Sequence, residues 1–233
     1  MKKWGRASLS SEDIALLKKF REHFRQQAAD ETTGEKLRRL AAVVDLTAVL
    51  SSEFDVRADC QAYLKALVEC KLPAMLLVSG VGMVEIASSK GRYKEANAML
   101  EEWVEAALIN YPPEALIPFT TAQLQQGNSW IVAKLLERAL AAGKIPDASR
   151  FEAMAARGLA LNKLYRSLLE RPRLKPGSAL EQVELASRCV NERSLLDQSR
   201  NAVDEAIKTR NTLKAPLTHA QMLLSKELDE LKN

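Results

Sequence analysis

The residues best suited to metal binding or covalent catalysis are few and widely separated in this sequence. It contains two histidines, His23 and His219, and three cysteines, Cys60, Cys70 and Cys189. A zinc site needs three or four such side chains on one surface, commonly from closely spaced pairs. No cysteine pair has that spacing, and neither histidine has a second histidine or a cysteine within helical reach. We therefore expect no metal site and three free, partly buried thiols.

Carboxylates and glycines give little indication of catalysis. Glu101, Glu102 and Glu105 form an acidic ridge on one predicted helix, whereas general acid–base catalysis needs a concave, desolvated setting. We interpret the ridge as a solvated face. The glycines Gly80 and Gly82 lie in an apolar stretch without the strand and the basic residue of a phosphate-binding loop, so they more simply permit close helix packing. We expect no enzymatic activity and no cofactor.

One region carries enough positive charge to bind nucleic acid. The whole chain has 34 basic and 30 acidic residues and a net charge of +4, so its average charge says little about partners. Residues 150–176, however, contain seven basic residues against Glu152 and Glu170, a local net charge of +5. Neutralisation of phosphates by lysine and arginine would supply affinity there. The candidate nucleic-acid-binding residues are Arg166, Arg171, Arg173 and Lys175.

Composition predicts an all-α protein. The sequence of 233 residues is 47% hydrophobic and only 5% aromatic, and residues that favour helices far outnumber β-branched ones. The first residues, MKKWGRASLSSED, contain no apolar stretch and so do not resemble a secretory signal. The longest mainly apolar, uncharged stretch, residues 72–84, is shorter than the ~20 residues of a membrane-spanning helix. We expect a cytoplasmic protein with no membrane contact.

Turn-forming residues and a short repeated pattern predict helical hairpins over residues 73–171. Proline or glycine recurs at the ends of segments that are apolar at helical period, and short helices joined by short turns pair as antiparallel hairpins. The residues MLEE beginning at Met99 have counterparts beginning at Leu135 and Leu168, at offsets of 36 and 33 residues. Such a period is typical of an α-solenoid. The same pattern can also arise in unrelated amphipathic helices.

Residues 89–96, SKGRYKEA, followed by Leu100, resemble the turn and second-helix start of a tetratricopeptide repeat through their Gly-x-Tyr-x-x-Ala spacing. The resemblance covers residues 73–171 at most, and later copies replace Ala96 with Val132 and Tyr165. It implies stacked hairpins whose first helices line a groove for a peptide or helix of another protein. The residues that would face this groove are Val81, Glu85, Ile117, Thr121, Arg150, Met154 and Arg157.

The remaining segments complete a three-part organisation. Residues 1–72 are predicted to form N-terminal helices that pack on the repeats of residues 73–176, with Ser10 and Asp13 as a capping box at the first helix. Residues 178–213 contain no glycine or proline, and we interpret them as one long amphipathic helix that caps the solenoid. Pro216 ends this helix, and a short final helix completes the region 177–233.

Two functional hypotheses follow from these patterns. The first is a non-enzymatic protein-interaction module, a scaffold, adaptor or chaperone-like protein that holds a peptide or helix of a partner. The alternative is a helical nucleic-acid-binding protein that uses the basic region. Neither hypothesis identifies the partner, and self-association stays open.

The repeat hypothesis makes specific structural predictions. Met99, Leu135 and Leu168 should occupy equivalent places on the second helices of successive hairpins. The residue after each of them, Leu100, Leu136 and Leu169, should be buried, because a single hairpin cannot cover its own apolar face. The tryptophans Trp103 and Trp130 are expected to anchor the core.

Overall fold

The structure, a computed structural model, describes residues 10–30, 33–50, 56–213 and 216–232. Every regular element in these ranges is a helix, which confirms the prediction of an all-α protein. Contacts divide the chain into two compact units, Met1–Ser79 and Gly80–Asn233. One helix, Pro73–Ser89, begins in the first unit and ends in the second.

The first unit contains three complete helices, α1 (Ser11–Asp30), α2 (Thr33–Val49) and α3 (Val56–Glu69), followed by the start of α4 (Pro73–Ser89). The predicted capping box precedes α1. The Ser10 hydroxyl accepts a hydrogen bond from the Asp13 amide (3.1 Å), and the Asp13 carboxylate accepts one from the Ser10 amide (3.1 Å). These two bonds satisfy amides at the helix end that have no partner within the helix.

A buried ion pair connects the first three helices. Arg21 of α1 lies 2.5 Å from Asp59 of α3, measured between Nη2 and Oδ2. The Thr47 hydroxyl of α2 accepts from Arg21 Nε (2.7 Å) and donates to Asp59 Oδ2 (2.6 Å). All three side chains are buried. Loss of one charged partner from such a pair leaves the other charge buried and costs about 3–5 kcal/mol.

In the described residues of the second unit, the end of α4 is followed by seven α-helices and one short 3-10 helix. The α-helices are α5 (Tyr93–Asn110), α6 (Pro113–Gln125), α7 (Ser129–Ala141), α8 (Asp147–Leu169), α9 (Ser178–Cys189), α10 (Glu192–Thr212) and α11 (His219–Lys232). Gly91 links α4 to α5 and Gly127 links α6 to α7, with φ angles of +73° and +89° that favour glycine. Met99 and Leu135 are each the seventh residue of their helix, α5 and α7.

The prediction of a third helical hairpin is wrong. Residues 147–169 form the single helix α8, so Leu168 lies at its carboxyl end and not on a second helix. No turn-forming residue interrupts this segment, since its one glycine, Gly158, is buried within the helix. Leu100 and Leu136 are fully buried, as predicted, but Leu169 is 57% exposed. The prediction that Leu169 is buried is therefore also wrong.

The predicted long helix over residues 178–213 is divided into α9 and α10. Val190 has an extended backbone, and Asn191 caps α10 by accepting a hydrogen bond from the Ser194 amide (2.7 Å). Asparagine favours helix starts because its short side chain accepts a hydrogen bond from a backbone amide that has no partner within the helix. A helix boundary therefore arises here without glycine or proline. The short final helix is confirmed as α11.

Helix α8 lies at the centre of the second unit and packs against α6, α7, α9, α10 and α11. Its buried residues lie on several faces, as expected of a helix enclosed by others. They are mostly small or aliphatic: Phe151, Ala153, Ala155, Ala156, Gly158, Leu159, Ala160, Leu161 and Leu164. Small side chains let neighbouring helices approach α8 closely.

The most extensive packing of α8 is against α10. A β-carbon added to Gly158 would lie 3.2 Å from Val203 Cγ2, 3.3 Å from Val203 N and 3.4 Å from Ala202 C. Four residues earlier on α8, the Met154 sulfur accepts a hydrogen bond from the Thr209 hydroxyl (3.0 Å). Residue numbers rise along α8 as they fall along α10, so the two helices are antiparallel.

Side-chain hydrogen bonds attach α9 to the start of α7. The Gln182 Oε1 atom accepts from the amides of Trp130 (3.0 Å) and Ile131 (3.2 Å), and so satisfies two amides in the first turn of α7. The Ser178 hydroxyl donates to Asn128 Oδ1 (2.9 Å) in the turn that precedes α7. Gln182 and Asn128 are buried, so water cannot compete for their hydrogen bonds. These bonds fix the position of α9 against α7.

Both tryptophans named from the sequence are core residues. Trp103 and Trp130 are among the largest fully buried side chains. A β-carbon at Gly80 would overlap the Trp103 indole, which confirms that this glycine permits close packing. Gly82 has no such role, because a β-carbon there would meet nothing within 4 Å.

Leu136 and Leu169, which match in the repeated sequence pattern but differ in exposure, provide a matched test of burial. We expect Leu136→Ala to lower the free energy of unfolding by about 2–5 kcal/mol, because it removes methyl groups from a fully buried site. Leu169→Ala should change it by less than about 0.5 kcal/mol, because this side chain is mainly exposed. Urea denaturation of both variants measures the difference. Equal midpoints would contradict the assignment of core and surface.

Gly158 and Gly82 allow a second matched comparison. Replacing a glycine inside a helix by alanine gains about 1 kcal/mol of helix propensity, and Gly82→Ala should show this gain because its surroundings are open. Gly158→Ala should instead be destabilising, because the new methyl group crowds the α10 backbone. Thermal melts of the two variants check the opposite signs. A stabilised Gly158→Ala protein would show that α8 and α10 separate easily.

Candidate protein-binding groove

The two α4 residues that were predicted to face a groove make contacts within the fold. Val81 is buried, so a partner has no access to its side chain. Glu85 is half-buried and accepts a hydrogen bond from Asn128 Nδ2 (2.8 Å). The same amide group donates to Gln123 Oε1 (2.8 Å). Val81 and Glu85 therefore contribute to packing and to the turn between α6 and α7.

The predicted groove residues of α6 and α8 are also dispersed. Thr121 and Arg150 are exposed, whereas Ile117, Met154 and Arg157 are half-buried. Met154 accepts the Thr209 hydrogen bond, so this face of α8 lies against α10. The seven residues named from the repeat resemblance do not share one exposed surface.

The candidate nucleic-acid-binding residues lie in and after the last turns of α8. Arg166 is exposed on α8, and Arg171 and Arg173 belong to a short 3-10 helix, Arg171–Arg173. Arg171 forms an ion pair with Glu184 of α9, while Arg173 and Lys175 are exposed. The positive surface is therefore smaller than the sequence indicates, because one of its arginines is neutralised.

A groove of about 520 Å³ lies between the carboxyl-terminal half of α8 and the amino-terminal half of α10, with α11 as a third wall. We call it the α8–α10 groove. Its apolar lining residues are Tyr165, Leu169, Leu196, Val203 and Leu231. Its polar lining residues are Asn162, Arg166, Ser199, Arg200 and Asp204. The volume falls within the range of about 300–1,000 Å³ that is common for ligand sites.

Helical periodicity explains why these residues come together. The lining residues of α8 occupy positions 162, 165, 166 and 169, and those of α10 occupy 196, 199, 200, 203 and 204. Steps of three and four residues place each set along one face of its helix. At 1.5 Å per residue, each stripe is about 10–12 Å long. The groove is therefore a straight trough between two antiparallel helices.

The register of α8 and α10 orders the polar groups along the trough. With Gly158 beside Val203, Arg166 lies level with Leu196, and Asn162 lies level with Arg200. Leu169 then lies at one end and Asp204 at the other. The two arginines are on opposite walls, about one helical turn apart.

Leu169 marks the groove as a surface for apolar contact. A single exposed leucine is common on protein surfaces, but this one clusters with half-buried Tyr165, Leu196 and Leu231. Contiguous apolar surface rimmed by polar groups is typical of interaction sites. The amphipathic pattern that the sequence shows over residues 178–213 includes Leu196 and Val203. It did not reveal that α11 completes the site with Leu231.

The two groove arginines are available to a ligand. Both side chains are exposed, and neither guanidinium group has a hydrogen bond or an ion-pair partner among the residues that the structure describes. By contrast, Arg210 near the other end of α10 pairs with Asp229 (2.8 Å) and donates to the Ser225 hydroxyl. The rim of the groove therefore offers two guanidinium groups with unused donors.

A second cavity, of about 660 Å³, lies where the start of α5 meets the end of α9 and includes Cys189. The Cys189 thiol donates a hydrogen bond to Asn97 Oδ1 (3.0 Å). Desolvation, reinforced by Glu101, raises the pKa of Cys189, while Lys134 and Trp130 act in the opposite direction. The thiol is therefore mainly protonated near neutral pH and is not an activated nucleophile.

All three cysteines are described and are free of disulfides, as predicted. Within residues 10–30, 33–50, 56–213 and 216–232, no three histidine, cysteine or carboxylate side chains lie close enough to hold a metal ion. No helix in the same ranges has the length and apolar character needed to cross a bilayer.

No family model, curated protein or solved structure matches this chain. We therefore infer its function from the residues of the groove.

The raised pKa of Cys189 has a measurable consequence. Iodoacetamide should alkylate Cys189 more slowly at pH 7.5 than it alkylates free cysteine, because only the thiolate reacts. The rate should keep rising above pH ~8.5, the usual pKa of a free thiol. Mass spectrometry of the Cys189 peptide after labelling at a series of pH values gives the profile. A plateau below pH 8 would instead indicate an activated thiol.

Proposed function

We propose that this protein is a non-enzymatic interaction module, a scaffold, adaptor or chaperone-like protein, whose α8–α10 groove binds an apolar segment of a partner protein. The observation that carries the proposal is the position of Leu169, which is 57% exposed at one end of a groove with an apolar lining. Half-buried Leu196 and Leu231 extend the same lining. A partner side chain inserted here would remove apolar surface on both molecules from water.

The energetics support such binding. Full burial of one leucine-sized side chain contributes about 1.5–3 kcal/mol. Protein interfaces combine an apolar centre with a polar rim, and the groove has this arrangement, with Arg166, Arg200 and Asp204 beside the leucines. A trough between two helices is a common site for a peptide or helix of another protein.

Two finer proposals accompany this function. We propose that α4–α5 and α6–α7 are two tetratricopeptide-like units, supported by the glycine turns at Gly91 and Gly127 and by the equivalent burial of Leu100 and Leu136. We also propose a reducing, cytoplasmic location, supported by three cysteines that are all free thiols.

Nucleic-acid binding is the second candidate function. It is favoured by the exposure of Arg166, Arg173 and Lys175 at the end of α8 and in the segment that follows. Phosphate contacts would make the affinity fall steeply with salt. Because Arg166 lines the α8–α10 groove, both functions would use the same end of α8, and one experiment can separate them.

Capture of a partner should depend on Leu169. In a pull-down from lysate of the native host, the wild-type chain should retain a protein partner after nuclease treatment, and Leu169→Asp should lose it. Ile109→Asp is a matched control, because Ile109 is 79% exposed, also lies at the end of a helix and is outside the groove. Both substitutions place a negative charge at a helix carboxyl end, so their local costs are similar.

Two results would contradict the proposal. One is recovery of nucleic acid alone, which nuclease removes, and the other is undiminished capture by Leu169→Asp.

A further inference from the structure

We propose that the segment held by the α8–α10 groove is an acidic amphipathic helix. This inference rests on the proposed function, since it names the chemistry of the partner for the same groove. It follows from the shape of the trough, from its two available arginines and from the order of groups along it.

The shape favours a helix over an extended chain. The walls are the helices α8 and α10, whose backbone amides and carbonyls are used within each helix, so they present mainly side chains to an occupant. An extended peptide would find no sheet edge to extend its backbone hydrogen bonding. A helix satisfies its own backbone and presents apolar side chains at steps of three and four residues. The trough length of about 10–12 Å accommodates two turns of such a helix.

The charges favour acidic residues beside the apolar stripe. Arg166 and Arg200 lie on opposite walls, and neither guanidinium group has a partner among the described residues. Carboxylates on a bound helix, three or four residues apart, match arginines that are about one turn apart. Each pair would form charge-assisted hydrogen bonds next to a surface that excludes water.

The order of groups also gives the bound helix a polarity. Leu169 at one end accepts an apolar anchor, the arginines follow, and Asp204 lies at the other end. We therefore expect carboxylates of the partner near the Leu169 end and the centre of the groove, close to the arginines. At the far end, the negative charge of Asp204 repels them. A neutral or basic residue fits beside Asp204.

The same lining disfavours nucleic acid at this site. A phosphate backbone could contact Arg166 and Arg200, but it would leave Leu169 and Leu196 without an apolar partner. Asp204 would repel the phosphates that continue along the trough. An acidic amphipathic helix contacts both the arginines and the leucines of the groove.

A selection experiment tests this inference with a defined probe. The probe is a displayed library of 14-residue helical segments with leucine at positions i, i+3, i+4 and i+7 and with Asp, Glu, Lys, Arg, Gln or Ala at random elsewhere. Selection against the full wild-type chain should enrich segments with carboxylates flanking the leucines. Recovery of segments with random or basic flanking charges would overturn the inference, and so would failure to enrich any segment.

Charge reversal makes the test specific to the groove. Arg166→Glu with Arg200→Glu should weaken the selected acidic helix by about tenfold or more and should make the same library yield basic segments. Arg173→Glu with Lys175→Glu is the control, because these exposed residues do not line the groove. Circular dichroism and thermal melts verify that each variant is folded.

Failure of the inference differs from failure of the proposed function. If Leu169→Asp abolishes binding of the selected segments but the double arginine reversal has no effect, the groove binds protein and the inference of an acidic partner is wrong. If neither substitution affects binding, the α8–α10 groove is not the binding site. Preferential binding of a single-stranded RNA oligonucleotide, lost on reversal of Arg166 and Arg200, would overturn both.

Discussion

The second unit depends on the close approach of α8 and α10 at Gly158. A β-carbon there would lie 3.2–3.4 Å from Val203 and Ala202, so any larger residue requires these neighbours to move by a few tenths of an ångström. Because α8 also packs against α6, α7, α9 and α11, its position influences most of the unit. The same approach builds the groove, since Tyr165 and Leu169 follow on α8 within three turns of Gly158. The contact of α8 with α10 therefore both packs the second unit and forms the groove on which the proposed function depends.

Features that depend on neighbouring residues in the chain could be predicted from the sequence. Ser10 and Asp13 identified the start of α1, and Gly91 identified a turn, because capping and positive φ angles restrict residue type locally. Burial of Leu100, Leu136 and the tryptophans followed from apolar residues at helical spacing. The all-α class followed from composition in the same way.

Features that depend on tertiary partners could not be predicted. Leu169 repeats the pattern of Leu136 yet is 57% exposed, because the short pattern does not encode which neighbouring helices cover a residue. The crowding that a β-carbon at Gly158 would meet from α10 is likewise a tertiary contact. The groove required the register of α8 against α10 and the placement of Leu231, and neither is local. Arg21 and Asp59 were likewise unremarkable until the fold buried them together.

The central claim is that the α8–α10 groove is the surface on which this protein receives a partner helix. Methyl NMR of the full chain during titration with a selected acidic helix measures this directly. We expect the methyl resonances of Leu169, Leu196, Val203 and Leu231 to shift together, while those of buried Leu100 and of exposed Ile109 stay unchanged. Shifts centred on Ile109 or Ile117, with the groove methyl groups unaffected, would contradict it.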